Sequence, residues 1–191
     1  MSGGKAYTLD YKRKRLRRTD YRSRIKLVAS GKLRVIVRRS LNNSYVQIAE
    51  FHAGGDRTFV SSSTRELIKY GWKGHRGNIP AAYLAGFLCG LKARKKNIES
   101  GILDVGTYRT VSGSLVFAAA AGLKDVGFEI ATGDVVPDES RLLGKHIENY
   151  ANLIKGDFQQ RFSKYLKAGI DPANISKHTE EVKKKISEKW H

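Results

Sequence analysis

The sequence predicts a three-layer α/β domain on a mixed five-stranded sheet of order 3-2-1-4-5, with an extended basic N-terminal arm and a helical C-terminal extension. Three observations lead there. Three segments of strand composition on short polar links fall within residues 33–62, two helical segments then alternate with short apolar ones, and cations crowd the first 39 residues. Strands on short links pair antiparallel as a meander, whereas a strand reached through a helix pairs parallel by a right-handed crossover. That crossover sets the fourth strand beside the first.

Leu33-Arg34-Val35-Ile36-Val37-Arg38-Arg39 follows the turn signal Ser30-Gly31-Lys32 and reads as the first strand. After the polar link Ser40 to Ser44, Tyr45 to Phe51 alternates like a half-buried second strand, and Arg57 to Ser62 forms a third beyond Ala53-Gly54-Gly55-Asp56. Thr64 is placed to cap a short helical turn, Arg65 to Tyr70, ahead of the irregular stretch Gly71 to Asn78. Pro80 suits the first turn of a helix reaching about Lys96, apolar on most faces and so buried against the sheet. Gly101 to Gly106 is a short buried strand, Ser114 opens a helix from Leu115 to Asp125, Gly127 ends it, and Phe128-Glu129-Ile130 is the last strand. A further helix is expected from Pro137-Asp138 to about Leu153. Asp171-Pro172 pairs a cap with a helix-start proline for a terminal helix toward Trp190.

At 191 residues one domain is expected, divided as a basic arm (1–30), an α/β core (31–153) and a helical extension (154–191). The single cysteine, Cys89, excludes an internal disulfide framework, fits a reducing compartment, and reads as a small core residue. The longest apolar run, Ile79 to Leu91, is too short to span a bilayer, and no signal peptide is legible, so a soluble, cytoplasmic protein is expected.

Charge is distributed unevenly. Residues 1–39 hold 14 Lys+Arg and 2 acids, a net +12 of the total +18, while residues 97–160 are net −4 and residues 161–191 net +4. A basic arm on an ordinary body points to a polyanion. Lys12, Arg13, Lys14, Arg15, Arg17 and Arg18 are nearly continuous, followed by Arg22, Arg24 and Lys26, with Tyr7, Tyr11 and Tyr21 interleaved. Arginine offers a planar fork for phosphate and tyrosine a stacking face, so nucleic acid is favoured over a localisation run, a membrane patch or a solvated charge run. Self-repulsion should keep the segment extended or frayed until phosphates neutralise it. Two further groups have the donors and acceptors to read sugars and base edges. One is Arg34, Arg38, Arg39, Asn42, Asn43, Tyr45 and Gln47; the other is Lys69, Tyr70, Trp72, Lys73, His75, Arg76 and Asn78. Trp72 serves equally as a core lid or a stacking platform.

The strand-and-crossover pattern resembles ribonuclease-H-like architectures, which brings a metal-dependent nuclease into consideration. Two-metal chemistry needs clustered carboxylates. The first strand has no acid, Asp104 stands alone at a strand end, and Asp134, Asp138 and Glu139 sit at a helix start. The five histidines are scattered without metal-ligand spacing, and no nucleophile elbow or phosphate loop is present. No catalytic site, metal, cofactor, membrane or small-molecule substrate is expected. A DNA-binding protein remains a second alternative.

Several strings occur in an order that resembles the large-subunit ribosomal protein L-eighteen family, archaeal type. They are Arg17 to Arg24, Arg38 to Asn43, Ser61 to Leu67, Tyr70 to Gly74, Gly77 to Gly86 and Leu103 to Gly106, and the resemblance spans roughly residues 11–150. Leu41 interrupts the family's usual loop, and residues 151–191 fall outside the resemblance. It implies a ribonuclease-H-like fold and a non-enzymatic constituent of the large ribosomal subunit. That constituent binds 5S rRNA in the central protuberance and helps attach it to the large-subunit rRNA, beside another 5S-binding ribosomal protein. By position its RNA contacts fall on the arm, on Arg38 to Asn43 with Tyr45 and Gln47, and on Tyr70 to Asn78. In the tail, Lys183-Lys184-Lys185 reads either as an rRNA contact or as a solvated helix end.

Overall fold

The computed structural model describes residues 8–154 and 158–190. Its five strands are β1 (Arg34–Arg39), β2 (Ser44–Glu50), β3 (Arg57–Ser63), β4 (Ser100–Asp104) and β5 (Glu129–Ile130), in the order β3-β2-β1-β4-β5. Short links make β1–β2 and β2–β3 antiparallel, with a bulge at Ile48/Ala49, and helical connections make β1–β4 and β4–β5 parallel. The mixed sheet expected from the meander and crossover is thus observed.

In the arm, α1 (Lys12–Arg15) and α2 (Tyr21–Ala29) precede the sheet. The crossover helices are α3 (Ile79–Arg94) and α4 (Leu115–Lys124). Then come α5 (Glu139–Leu143), α6 (Lys145–Leu153), α7 (Phe158–Arg161), α8 (Ser163–Lys167) and α9 (Ile175–Trp190). Both crossovers step in the same direction along the sheet, and right-handed connections so ordered put α3 and α4 on one face. Val35 and Val37, Val46 and Ile48, and Val60 point to that face and join the helices in one core. The alternate residues Ile36, Arg38, Tyr45, Gln47 and Ser61 face the other way, where α2 is the element that approaches.

α3 runs between sheet and helices, and Pro80 to Leu91 are buried. Asn78 Oδ1 accepts from Ala81 N at 3.0 Å and caps it, ahead of the start proline. It crosses α4 closely, since a Cβ on Gly86 would lie 1.9 Å from the Ala119 carbonyl oxygen and one on Gly122 would lie 2.1 Å from that of Tyr83. Cys89 is fully buried within α3, as its neighbours Leu88 and Gly90 imply.

Three local expectations are corrected. Thr64 does not cap the 3-10 turn Glu66–Tyr70; its Oγ1 accepts from Ser44 N at 2.9 Å and ties β2 to the end of β3. The helix expected from Pro137 to Leu153 is broken at Gly144, whose φ of +100° closes α5 and restarts the chain as α6. The Asp171-Pro172 start forms a 3-10 turn, Pro172–Asn174, capped by the Asp171 carboxylate, and α9 continues from it.

α9 packs along α3 on the stripe Ile175, Thr179, Val182 and Ile186, all fully buried at the spacing of one helical face. Lys183 of this helix is held inward. Its Nζ donates to the Tyr83 hydroxyl and, at 3.1 Å, to Asp125, lying 5.0 Å from the Phe87 ring centroid. The Tyr83 hydroxyl in turn donates to Asp125, and burial first, then that carboxylate, raises its pKa above the usual phenol range. Lys183 is therefore spent on packing, whereas Lys184 and Lys185 are exposed. At the free edge of the sheet, Lys92 Nζ donates to the Ser61 carbonyl at 2.9 Å and Lys96 Nζ to that of Phe59 at 2.6 Å.

Candidate nucleic-acid interface

The β1–β2 hairpin presents the first predicted group. Ser40 closes its turn, since Ser40 Oγ accepts from Asn43 N at 3.0 Å and Ser40 N donates to the Asn43 carbonyl at 2.7 Å. This projects Leu41, 93% exposed, and Asn42 outward, while the Asn43 side-chain oxygen is buried without a hydrogen-bond partner among the described residues. Arg39 is exposed, its guanidinium 5.5 Å from the Tyr108 ring centroid, and Tyr108 Oη donates to the Arg39 carbonyl at 2.7 Å. Tyr45, exposed, lies opposite Arg38 in the register, and Gln47, half-buried, lies opposite Ile36.

Arg34 and Arg38 are committed internally. Arg34 is 1% exposed, with guanidinium nitrogens 2.6 Å from Asp56 and 3.1 Å from Asp104. It is removed from the set able to meet an outside phosphate. Its cation, on the same strand as Arg38 and Arg39, put it among the candidates, but the carboxylates that neutralise it come from a distant turn and strand. Burial opposes ionisation of Asp56, and the guanidinia of Arg34 and Arg24 outweigh it and hold the carboxyl below its ordinary range. Arg38, half-buried, donates to the Asp104 carbonyl at 2.7 Å and carboxylate at 2.9 Å. Breaking such a buried network is costly because it strands a charge.

The second group surrounds the loop before α3. Gly71, at φ +88°, ends the 3-10 turn; Lys69 and Lys73 are exposed and Arg76 half-buried. Tyr70 and Trp72 are not stacking platforms. Trp72 is 3% exposed, its indole N–H donates to the His75 carbonyl at 3.4 Å, and its ring stacks on His178 at 5.2 Å. Tyr70 accepts from Trp190 Nε1 at 2.8 Å. Both are covered by α9, so Trp72 is the core lid. His75 is exposed and its pKa is lowered, by partial burial and then by Lys164 and Arg76. Asn78 adds to its cap a bond from Nδ2 to Tyr165 Oη at 3.4 Å.

These two groups meet. A Cβ on Gly77 would lie 2.7 Å from the Leu41 carbonyl oxygen, so the hairpin tip rests on the second loop. Arg39, Asn42, Lys73, His75 and Arg76 therefore share one end of the molecule, the end at which β1 finishes.

The arm departs from the extended segment expected from self-repulsion. Asp20 Oδ1 accepts from Arg22 N at 3.0 Å and Ser23 N at 3.3 Å, and Oδ2 accepts from Ser23 Oγ at 2.7 Å, capping α2. The Ser23 hydroxyl and the helix N–H groups lower the Asp20 pKa. Arg24 donates to both oxygens of Asp56 at 3.0 Å and ties α2 to the sheet. One carboxylate thus clamps both the arm and the core through Arg24 and Arg34. Ahead of α2, Lys12, Lys14, Arg15, Arg17 and Arg18 are exposed, as is Arg22 in its first turn, with Lys14 paired to Asp10 at 2.7 Å and Arg13 Nε donating to Thr19 at 3.2 Å. Tyr11 is 75% exposed and its ring lies 5.6 Å from that of Tyr21. Tyr7 lies outside the described residues.

Sequence reading overlooked Arg161, Lys164 and Tyr165, which face the second loop across a groove, and Tyr108 beneath Arg39. The cations at positions 161, 164 and 167, spaced as on one helix face, were the available signal. Among the described residues no cluster of three or more His, Cys, Asp or Glu could hold a metal ion, and no helix is long and apolar enough to cross a membrane.

Comparison with known proteins places the chain in a family. Residues 5–100 match the family described as ribosomal large subunit proteins 60S L5 and 50S L18. Over 184 residues the chain is 42% identical to the large ribosomal subunit protein uL18 of Methanococcus maripaludis, covering 94% of this chain and 95% of that one. The chain belongs to this family of large-subunit ribosomal proteins, which are structural and non-enzymatic.

Proposed function

We propose that the chain binds 5S rRNA as a structural constituent of the large subunit and helps attach it to the large-subunit rRNA in the central protuberance. Another 5S-binding ribosomal protein is among its neighbours. Membership of a ribosomal protein family implies rRNA and ribosomal proteins as partners in general; the choice of 5S rRNA rests on the resemblance and on one geometric observation. That observation is the contact of the hairpin tip with the loop before α3, which gathers Arg39, Asn42, Lys73, His75 and Arg76 at one end of the fold. The cationic α1 supplies phosphate contacts from a separate element.

The test is binding of the full chain to transcribed 5S rRNA across a salt series, with duplex DNA as competitor. Deleting residues 1–18, which spares the Asp20 cap, is expected to weaken binding strongly while moving the melting temperature little. The slope of log affinity against log salt should fall by about 0.7–0.9 for each phosphate that the shortened chain leaves unneutralised. Preference for duplex DNA at physiological salt, or equal losses of affinity and stability, would overturn the proposal.

A further inference from the structure

Beyond the hairpin, the loop before α3 faces α7 and α8 across a groove of about 940 Å³, a volume within the roughly 300–1,000 Å³ of small-ligand sites. The C-terminal segment forms one wall. Tyr165 Oη accepts from His75 N at 3.3 Å and from Asn78 Nδ2 at 3.4 Å, so this wall is bonded to the loop. Lys73, Arg76, Arg161 and Lys164 line the groove, and no described lining residue is a carboxylate. Lys73, Arg76 and Lys164 make no ion pair among the described residues. His75 Nδ1 accepts from Gly77 N at 3.0 Å, so the neutral ring carries its proton on Nε2 as a donor.

We propose that residues 161–165 belong to the RNA-binding surface and that the groove they form with Lys73 to Asn78 takes one unpaired nucleotide of rRNA. Its phosphates lie on Lys73, Arg76 and Lys164, and its base lies in the concavity beside Tyr165 and His75. A mixed polar and apolar concavity with a cationic rim suits an unstacked base, whereas the convex backbone of a duplex cannot enter it. The wall contributed by α7 and α8 lies beyond the residues matched by the family, 5–100. The inference rests on rRNA being the partner.

The experiment uses the full chain with Ser163→Cys carrying a tethered iron chelate, Cys89 being buried and unavailable to the label. Bound to transcribed 5S rRNA and to large-subunit rRNA, the tether should cleave at unpaired nucleotides. Lys73→Ala and Lys164→Ala, both at exposed positions, should each lower the salt slope by about 0.7 with an unchanged melting temperature. Unchanged slopes with no cleavage, in a wild-type chain that binds rRNA, would refute the groove and leave the function standing. A wild-type chain that binds no rRNA would refute both. In reconstituted large subunits, cleavage of a neighbouring ribosomal protein from position 163, without RNA cleavage, would give the groove to a protein and overturn the proposal.

Discussion

Gly86→Ala tests the closest approach in the core. The added methyl would lie 1.9 Å from the Ala119 carbonyl oxygen and 2.7 Å from its carbonyl carbon, backbone atoms that no side-chain rotation can move aside. Ordinary contact begins at 3.4 Å, so α3 and α4 must part by about 1.5 Å. A gap of roughly 0.5–1 Å already forfeits a quarter to a half of the dispersion energy between facing atoms. Overpacking of this kind costs about 1–3 kcal/mol, and here the upper end applies because backbone meets backbone. Replacing a mid-helix glycine with alanine returns about 1 kcal/mol of helix propensity. The net loss is about 2 kcal/mol, which lowers the melting temperature of a chain this size by roughly 4–8 °C. Thermal unfolding followed by circular dichroism measures it. Gly90→Ala is the internal control, because its methyl would meet Val126 Cβ at 3.1 Å, an overlap relieved by a shift of a few tenths of an ångström rather than by parting two helices. It should stay within about 1 kcal/mol of the parent. A Gly86→Ala chain as stable as the parent, or equal losses at both glycines, would refute the steric reasoning.

Three further outcomes are expected. Because the folded-state pKa of Asp20 is depressed, its stabilisation of α2 is complete at neutral pH and lost as pH falls through that lowered value; Asp20→Asn should keep the helix and remove the pH dependence of its amide signals, and a persistent dependence would point elsewhere. Arg34→Met leaves the buried Asp104 with Arg38 alone, and urea unfolding should show a loss of about 3 kcal/mol, whereas a loss under about 1 kcal/mol would rank the network with surface pairs. Burial pushes the Cys89 thiol up to about 12, so a thiol reagent at neutral pH should label the unfolded chain only, and rapid labelling of the native protein would contradict its place in the core.

What could be read from the sequence was mainly local. The strand composition of β1 after its turn signal, the two-residue alternation in β2, the start proline of α3 and the handedness of crossovers suffice for the strand order. The Gly144 break was visible as a Leu-Leu-Gly string, but a left-handed stop is distinguishable from a tolerated helix glycine only once Pro80 is seen packed 3.0 Å from its Cβ position. The site was partly legible. Arg39, Asn42 and Lys73 are exposed and Arg76 half-buried, as side chains proposed to meet a partner can be, yet Arg34 and Trp72 did not reveal their burial. The groups that cover them, Asp104 and α9, lie 70 or more residues away, and composition carries no information about pairing at that distance. Asp20 shows the opposite failure: charge counting along the arm outweighed one well-placed cap.

The lysines that reach over β3 carry a consequence for the protein before it meets its nucleic acid. A lone strand at the margin of a sheet invites a neighbouring copy to zip onto its free peptide oxygens. Here the ammonium groups of Lys92 and Lys96 already sit on two of those oxygens, and each incoming copy brings the same surplus of positive charge. Newly made chains can thus accumulate side by side without knitting into fibres, and the same excess of cations keeps the unassembled pool apart.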